Sequence, residues 1–249
     1  MEQTAQNDFL QPIYNSYGLA EITAASFDCY LSEGYRLLGD SVFRHTYGSV
    51  AGANSVPTRI DLAQFRWEKK HRKIFKQNAD LSIFIKPATE VTAAHSDLFY
   101  KHISKYYAAD DIAHRHLAHY TPINTPTIPV PTYMFEVYEG DELIAVSFFQ
   151  KGVRWLNGNY CIYDVDYNQA SKRSLGTFTM LLEIQFAIAN GFDYYTSGYT
   201  DTLPSHFSYK KDFIGVDYYN WEGDWLPYQG EFVLKPFAPP QTAAETDDE

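Results

Sequence analysis

A turn that contains a glycine, at residues 172–177, has the residue types that bind a phosphate group. It lies between an apolar segment that predicts a buried strand and a segment whose apolar residues recur at helical spacing. The first N–H groups of a helix have no partner within the helix, and the helix dipole favours an anion there. Arg173 could hold a phosphate in a fork geometry. Amides or hydroxyls would come from Ser174, Gly176 and Thr177. The alternative is a plain helix N-terminus with Ser174 as its cap.

A second candidate is a run of basic residues in the first third of the chain. Such a run could neutralise several phosphates of a bound RNA. The alternative that the spacing leaves open is a solvated helix face, since runs of charge are commonly of that kind. The run consists of Arg66, Lys69, Lys70, Arg72, Lys73 and Lys76, with His71 among them.

The overall charge limits the kinds of partner. The 249-residue chain has a formal net charge of -11, which argues against a broad nucleic-acid footprint and against DNA as a partner. Four acidic residues belong to a tail at residues 237–249 that we predict to be disordered: Glu245, Asp247, Asp248 and Glu249. The basic run therefore stands against an acidic background.

The apolar content predicts a globular protein with a core, since 45% of the residues are hydrophobic and 17% are aromatic. No apolar run approaches the roughly 20 residues that cross a bilayer, and the polar, acidic start is unlike a signal peptide. Cys29 and Cys161 are the only cysteines, too few for a disulfide framework or a cysteine-rich metal site. We therefore expect a cytoplasmic protein with no membrane partner.

The elements that position the candidate residues are predicted from hydrophobic periodicity and turn signals. A small N-terminal domain at residues 1–78 precedes a larger domain at residues 79–236, which we expect to carry any catalytic site. In the larger domain the predicted order is strand, helix, helix, three antiparallel strands, helix, strand, helix, strand. The predicted strands are residues 81–86, 133–138, 143–149, 160–165, 193–197 and 215–221, and the predicted helices are residues 91–107, 112–120, 174–190 and 203–210.

This order of elements is that of the GNAT-like acyltransferase fold. The fold class is α+β, a mixed and mostly antiparallel sheet flanked by helices, here with a small N-terminal domain. The glycine turn falls between the fourth strand and the third helix, where such folds hold a nucleotide pyrophosphate.

Several short motifs carry a family resemblance. Residues 34–39 are similar to a G-(W/Y)-R-x-x-G segment, and residues 59–73 to an R-(I/L)…F…K-x-x-R-(R/K) stretch. Residues 163–178 are similar to (F/Y)-D-P-D…R-S-L-G-T-F, and residues 194–199 and 209–213 to Y-Y-Y-L-G-Y and Y-K-x-x-F. Spread over most of the chain, these motifs resemble the arginyl-tRNA protein transferase family, which includes bacterial leucyl-transferring members. The R-S-L-G-T-F match is the most specific.

The resemblance implies an enzyme that moves an amino acid from aminoacyl-tRNA to the N-terminal α-amine of a protein, as in N-degron tagging. The amine attacks the ester carbonyl that joins the amino acid to the 3′ end of the tRNA. Because an α-amine has a pKa of about 7.7 to 8.0, roughly a tenth is unprotonated at pH 7, and one carboxylate with a water would suffice as base. Asp164 and Asp166 are the candidates for binding or deprotonating the amine, unless one of them caps the following turn.

The ribose hydroxyl that leaves needs a proton, which a tyrosine can give because it stays protonated at neutral pH. Tyr209 is the first candidate, since its setting resembles that of the general-acid tyrosine of GNAT enzymes, and Tyr199 is the second. If the acceptor residue is Asp or Glu, as in the family, its carboxylate needs a basic group. That group could be Lys210, Lys211 or His206.

Members of the family carry N-terminal cysteines that bind a metal or a cluster, whereas this region has only Cys29. We therefore predict no resident cofactor, with aminoacyl-tRNA as the co-substrate and protein N-termini as the acceptors. Two alternatives stay open. An ordinary N-acyltransferase would hold the pyrophosphate of acetyl-CoA at the same turn, and a non-catalytic module would bind tRNA or degrons without turnover.

Overall fold

The computed structural model describes residues 13–19, 22–89, 91–112, 115–120 and 130–234. Near the N-terminus, three antiparallel strands form a small sheet: β1 (Tyr14–Gly18), β2 (Arg36–Leu38) and β3 (Ser41–His45), with β3 in the centre. Helix α1 (Ala24–Ser32) begins at Thr23, whose side chain accepts a hydrogen bond from the amide of Ser26. Phe27 and Leu31 of α1 are fully buried against this small sheet.

A second sheet has eight strands. They are β4 (Ser55–Asp61), β5 (Ser82–Pro87), β6 (Thr132–Glu139), β7 (Glu142–Lys151), β8 (Trp155–Tyr163), β9 (Tyr194–Asp201), β10 (Val216–Tyr219) and β11 (Trp225–Pro227). Their order across the sheet is β11-β10-β4-β9-β8-β7-β6-β5. Neighbouring strands are antiparallel except β8 and β9, which are parallel. Parallel strands need a crossover connection, and two helices form it here.

Helices cover both faces of the large sheet. They are α2 (Lys69–Gln77), α3 (Ala93–Ile103), α4 (Ala109–Ile112), α5 (Val165–Ser171) and α6 (Leu175–Ala189), with 3-10 turns at Leu117–His119 and Ser208–Lys211. Along β7, Val146 and Phe148 pack with the apolar residues of α3, while Ala145 and Phe149 pack with those of α6. Successive side chains of a strand point to opposite faces of the sheet. The two faces of β7 therefore pack on different helices, and the sheet forms a layer between them. The predicted fold class, an α+β GNAT-like sheet flanked by helices, is confirmed.

The parallel pair β8 and β9 separates along its length. The two strands pair only where residues 155–157 lie beside residues 194–196. Beyond this point β8 stays on β7 and β9 stays on β4, so a wedge opens between them. A register shift in β8, where Phe148 pairs with Tyr160 and Phe149 pairs with Gly158, lies at the start of the wedge.

Helix α6 agrees with its prediction to within one residue at each end. Its apolar side chains recur at helical spacing and are buried in the core under β7 and β8. The helix ends at Asn190, and Gly191 has a φ of 74°, the left-handed conformation that commonly follows a helix.

Three predictions of secondary structure are wrong. Residues 165–171, where no helix is predicted, form α5 because Asp164 accepts a hydrogen bond from the amide of Tyr167 at 3.0 Å and caps the helix. The predicted helix at residues 112–120 is instead the short α4 followed by the 3-10 turn at Leu117–His119. The predicted helix at residues 203–210 is instead the 3-10 turn at Ser208–Lys211.

The predicted boundary near residue 78 does not separate the two sheets, because β4 lies between β10 and β9 in the large one. The predicted tail at residues 237–249 lies outside the described residues. Within the described ranges, none of the helices is both long enough and apolar enough to cross a membrane.

Candidate active site

A cavity of about 980 Å³ lies in the wedge between β8 and β9. Its walls come from these two strands, from the first half of α6, from β2 and β3 of the small sheet, and from the 3-10 turn Ser208–Lys211. Pockets of about 300 to 1,000 Å³ are typical of small-molecule sites. The splayed strands thus provide one cleft in which side chains from distant parts of the sequence meet.

One face of α6 runs along the cavity. It carries Gly176, Thr179, Met180 and Glu183, residues three or four apart that share a helix face. At a rise of 1.5 Å per residue, Glu183 lies about 10 Å further along the helix axis than Gly176. The N-terminus of α6 and a carboxylate therefore face the same space.

Glu183 is a buried carboxylate with hydroxyl partners. It is only 2% exposed, and it lines the cavity. The hydroxyl of Tyr195 donates to its Oε2 at 2.6 Å, and the hydroxyl of Ser147 donates to its Oε1. Burial raises the pKa of Glu183 to about 7, although these two hydrogen bonds act in the opposite direction. At neutral pH the group is therefore divided between its carboxyl and carboxylate forms.

Glu136, another carboxylate in the core, differs from Glu183 because its partners are basic side chains. Lys86 and His95 lie 2.9 Å from its two oxygens. Burial alone would raise the pKa of Glu136, but hydrogen bonds from Lys86 and Tyr138 and the charges nearby hold it below its usual range. Glu136 is thus a structural ion pair, whereas Glu183 has no cationic partner among the described residues.

Gly158 on β8 packs directly against the carboxylate of Glu183. A Cβ atom at this position would lie 2.4 Å from Oε2 of Glu183 and 2.5 Å from the hydroxyl oxygen of Tyr195. Both distances are too short for any side chain. The carboxylate therefore has its place in the cavity wall only because position 158 has no side chain.

The other end of the cavity is cationic. The guanidinium of Arg36 donates one hydrogen bond, to the carbonyl of Asn159 at 3.3 Å, and lies 5.5 Å from the ring centroid of Tyr199. The ammonium of Lys210 donates to the carbonyls of Ser197 at 2.7 Å and Tyr199 at 3.0 Å. Burial, with the charge of Arg36, lowers the pKa of Lys210 to about 7. At neutral pH Lys210 is therefore divided between its ammonium and amine forms, whereas Arg36 is charged. Neither side chain forms an ion pair with any of the described residues, and Arg36, which lines the cavity, keeps donors beyond its one hydrogen bond.

The three predicted acceptor-binding residues lie in different surroundings. Lys210 and His206 line the cavity, and burial lowers the pKa of His206. Lys211 lies outside the cavity lining, with its ammonium 3.4 Å from the carbonyl of Asp201. The carboxylate of Asp201, which also lines the cavity, accepts hydrogen bonds from the amide and hydroxyl of Ser49, and its charge acts to raise the pKa of Lys210 against the larger effect of burial.

Both candidate acids, Tyr209 and Tyr199, line the cavity. The hydroxyl of Tyr199 donates to the carbonyl of Gly34 at 2.7 Å, so its proton is engaged. Tyr209 is 38% exposed, toward the cavity, and its hydroxyl has no hydrogen-bond partner among the described residues. The surrounding protein raises the pKa of Tyr209, which keeps its proton in place at neutral pH.

The predicted bases lie outside the cavity. Asp164 pairs with Lys101 while it caps α5, and Asp166 lies 2.9 Å from Lys105. Burial acts to raise the pKa of Asp164, but the hydrogen bonds from Lys101 and from the amide of Tyr167 outweigh it and lower the pKa. The alternative reading of Asp164 as a cap matches its observed geometry.

Only three of the four candidate residues of the predicted phosphate-binding turn line the cavity. Ser174, Gly176 and Thr177 line the cavity, and the side chain of Ser174 makes no capping hydrogen bond. Arg173 lies outside the lining, and its guanidinium forms a fork with the carboxylate of Asp80 at 2.7 and 2.8 Å.

The basic run lies mostly on α2 and outside the cavity. Arg66 donates to the carbonyls of Ala63 and Phe65, and Arg72 donates to that of Trp67. Lys69, Lys70 and Lys73 are exposed, and Lys70 also contacts Glu68 and the carbonyl of Asp212. At the end of α2, the side-chain amide of Asn78 donates to the carbonyl of Arg173 at 3.0 Å. This contact joins the basic helix to the N-terminal end of α6.

The residues present do not fit a metal or a cluster held by cysteines. Cys29 is exposed on α1, while Cys161 lines the cavity, where burial raises the pKa of its thiol to about 12. No group of three or more His, Cys, Asp and Glu side chains in the described ranges could hold a metal ion.

The sequence predictions missed Arg36, Gly158 and Glu183. Arg36 belongs to the G-Y-R motif, but the motif gives no role to its side chain. For Glu183 a signal exists, because it is the only charged residue among the fifteen of α6. A single carboxylate in an otherwise uncharged and largely buried helix is costly unless it has a function or a partner.

The fold and the cavity define an acyltransferase of the GNAT-like class. A family described as arginine-tRNA-protein transferase, C terminus, matches residues 91–220, slightly more than half of the chain. The chain therefore belongs to this family, and it is an aminoacyl-tRNA protein transferase, as predicted.

Individual relatives agree with the family match. An aspartate/glutamate leucyltransferase of Acinetobacter baylyi is 25% identical over 86% of this chain and 75% of the relative. One of Nitrosococcus oceani is 29% identical over 88% of this chain and 87% of the relative.

Similar solved structures are more distant. The C-terminal domain of a putative lysylphosphatidylglycerol synthetase from Agrobacterium fabrum has a TM-score of 0.39 and 11% identity, covering 59% of this chain and 48% of that one. A GCN5-related glucosamine N-acetyltransferase region of a fungal multi-domain enzyme has a TM-score of 0.39 and 10% identity, covering 78% and 22%. The assignment of the fold class rests on the strand order and pairing described above.

Proposed function

We propose that this enzyme transfers leucine from its charged tRNA to proteins that begin with Asp or Glu. The observation that carries the proposal is the pair of basic side chains, Arg36 and Lys210, that line the cavity without an ion-pair partner among the described residues; a bound carboxylate would favour the charged form of Lys210. A carboxylate is the ligand that such a pair favours, and an arginine fork binds it through two parallel hydrogen bonds. The names of the relatives from Acinetobacter baylyi and Nitrosococcus oceani support the same donor and acceptors.

The donor would enter from the N-terminal end of α6. Ser174, Gly176 and Thr177 line the cavity at the start of α6, where the first amides of a helix have no partner within it, and this suits the last phosphate of the tRNA; the amide of Leu175 already donates to Asn168. The basic face of α2, joined to this turn through Asn78, would meet phosphates further along the tRNA. Tyrosine rings along the cavity offer surfaces on which the terminal base can stack. In this arrangement the ester lies between the anion site and the cationic end.

The proposed reaction uses Tyr209 as the acid. The nitrogen of the acceptor forms a bond to the ester carbonyl carbon, and the bond from that carbon to the ribose oxygen breaks. Tyr209 gives its proton to the ribose oxygen and is reprotonated by the proton that the nitrogen loses. The product is a protein that is one residue longer at its N-terminus, which is the change that an N-degron tag requires.

The proposal is tested by transfer of radiolabelled amino acids from a mixed pool of charged tRNA to peptides that differ only in their first residue. The peptides form two matched pairs, one that begins with Asp or Asn and one that begins with Glu or Gln, since each amide has nearly the shape of its acid. We expect leucine label in the Asp and Glu peptides, at least about 100-fold above their amide partners. Label from acetyl-CoA alone, or leucine label without preference for the acids, would contradict the proposal.

We expect Tyr209→Phe to lower the rate constant for transfer about 100-fold while peptide binding stays unchanged, because a proton donor for the leaving ribose oxygen is lost. Tyr199→Phe is the comparison, since it removes a hydroxyl that is engaged by Gly34. That variant should lose stability more than rate. Single-turnover rates and thermal unfolding separate the two effects, and equal losses of rate in both variants would count against Tyr209 as the acid.

A further inference from the structure

We propose that Glu183 receives a proton from the α-ammonium group of the acceptor protein. This inference rests on the proposed function, because it assigns the base of that reaction. The role differs from the sequence prediction, which placed Asp164 and Asp166 in it. Those two carboxylates are paired with Lys101 and Lys105 outside the cavity.

Geometry is the first support. Glu183 lines the cavity, and its Oε2 packs against Gly158 of β8, which lines the same cavity. Each of its oxygens accepts one hydrogen bond, from Ser147 or from Tyr195. A carboxylate oxygen can accept two, so both oxygens keep a position for an ammonium donor.

The electrostatic surroundings are the second support. Three titratable groups interact with Glu183: Cys161 on β8, Tyr195 on β9 and Tyr209 on the 3-10 turn. Burial raises the pKa of each of them, so all three are uncharged at neutral pH, and β7 contributes only the hydroxyl of Ser147. An arriving ammonium would thus be the first cation to meet this carboxylate, and no resident charge competes with it among the described residues.

The opposite charges of the groups that line the cavity are the third support. An acceptor that begins with Asp or Glu has its ammonium on Cα and a side-chain carboxylate whose carbon lies two or three bonds from that atom. Arg36 and Lys210 suit the carboxylate, and Glu183 suits the ammonium. The cavity therefore offers opposite charges to the two charged groups of one residue.

The proton balance is complete. The acceptor arrives with three protons on its nitrogen. One passes to the carboxylate of Glu183, which leaves a lone pair that attacks the ester carbonyl carbon. The carbon–oxygen bond to the ribose breaks, the ribose oxygen takes a proton from Tyr209, and the nitrogen returns one to Tyr209. The third proton stays on the new amide, and Glu183 releases its proton to solvent.

The mechanism predicts a particular pH profile for the wild type. With an Asp peptide as acceptor, kcat/KM should rise through about pH 7, because Glu183 must be ionised to receive the proton. It should fall at higher pH, because Lys210, whose pKa burial also lowers to about 7, loses the charge that would hold the acceptor carboxylate. The profile is therefore a bell with a narrow maximum.

Glu183→Gln should change this profile in shape. The amide keeps the size of the side chain but takes no proton, so only acceptors that are already unprotonated can react. We expect kcat/KM of the variant to lie on the order of 10 to 100-fold below that of the wild type at pH 7, and this difference to shrink as the pH rises through about 8, because more of the acceptor is then already unprotonated. Tyr195→Phe should move the rising limb of the bell upward by about one pH unit, since the carboxylate loses a hydrogen bond.

Glu136→Gln is the matched control, a buried glutamate outside the cavity. It should lower thermal stability and keep the bell. If Glu183→Gln also keeps the bell and its height while the wild type transfers leucine, the role of Glu183 is overturned and the proposed function stands. If the rising limb of the pH profile of Tyr195→Phe stays at the pH of the wild type, the role of Glu183 is overturned as well. If the wild type transfers no amino acid from any charged tRNA, the proposed function itself fails.

Discussion

Arg36→Met should lower kcat/KM for acceptors that begin with Asp by about 100 to 1,000-fold, with a much smaller loss for those that begin with Asn. Arg36 is the group with the most unused hydrogen-bond donors at the cationic end of the cavity, since the guanidinium donates only one hydrogen bond to the described residues. A bound carboxylate would gain two charge-assisted hydrogen bonds from it. The ratio of kcat/KM for matched Asp and Asn peptides measures the effect without interference from changes in overall activity.

The substitution should leave folding intact. Burial lowers the pKa of Arg36, which means that the protein around it disfavours the charge. Gly198, with a φ of 87°, packs so closely that a Cβ there would lie 2.8 Å from the guanidinium carbon. The side chain is therefore held in place by contact and directed at the cavity. Methionine keeps most of its volume and removes the cost of the buried charge.

Two further variants sharpen the test. Arg36→Lys keeps the charge but not the fork, so it should recover only part of the preference for Asp over Asn. Arg44→Met is the control, because this neighbouring arginine donates to the carbonyl of Glu33 and stacks on Tyr35 outside the cavity lining. Loss of the Asp preference in Arg44→Met, or its retention in Arg36→Met, would move acceptor recognition away from Arg36.

The sequence predicts the parts of the fold that depend on local periodicity. Helix α6 was predicted to within one residue because its apolar spacing and the stop at Gly191 are local signals. The strands β6 and β7 with their tight connection follow from the same kind of pattern. The glycine turn was predicted where the chain enters α6, and three of its four candidate residues line the cavity.

The sequence fails where contacts between distant segments decide the outcome. Asp164 and Asp166 were expected at the end of a strand that faces the cleft, but α5 begins at this point and directs both toward lysines of α3 and the turn after it. Arg36 and Tyr199 meet because β2 of the small sheet lies against β9, far away in sequence. No local pattern predicts such a contact. Glu183 owes its partners to β7 and β9 in the same way.

Gly158→Ala should impair both stability and transfer strongly. The added carbon would lie 2.4 Å from Oε2 of Glu183 and 2.5 Å from the hydroxyl oxygen of Tyr195, and these two atoms are themselves joined by a hydrogen bond. The φ of Gly158 is not in the left-handed region, so the backbone accepts alanine and the conflict is one of space alone. We expect a loss of about 1 to 3 kcal/mol in the free energy of unfolding, as is common when a packed site is overfilled.

Transfer should fall by about 1,000-fold, because the carboxylate and its access to the cavity are lost together. Gly18→Ala is the control for the substitution itself, since nothing lies within 4 Å of a Cβ there and its φ is not in the left-handed region. It should change the unfolding free energy by less than about 0.5 kcal/mol and leave the rate unchanged.

A double variant separates the two consequences of Gly158→Ala. When Glu183→Ala is added, the new methyl group has space, so the stability lost in Gly158→Ala should be largely regained, while the rate of transfer stays low. Chemical denaturation and single-turnover transfer, measured on all four members of the cycle, give the two coupling energies. Independent effects on stability would mean that the carboxylate does not lie behind Gly158. Recovery of the rate together with stability would mean that the enzyme needs the space and not the carboxylate.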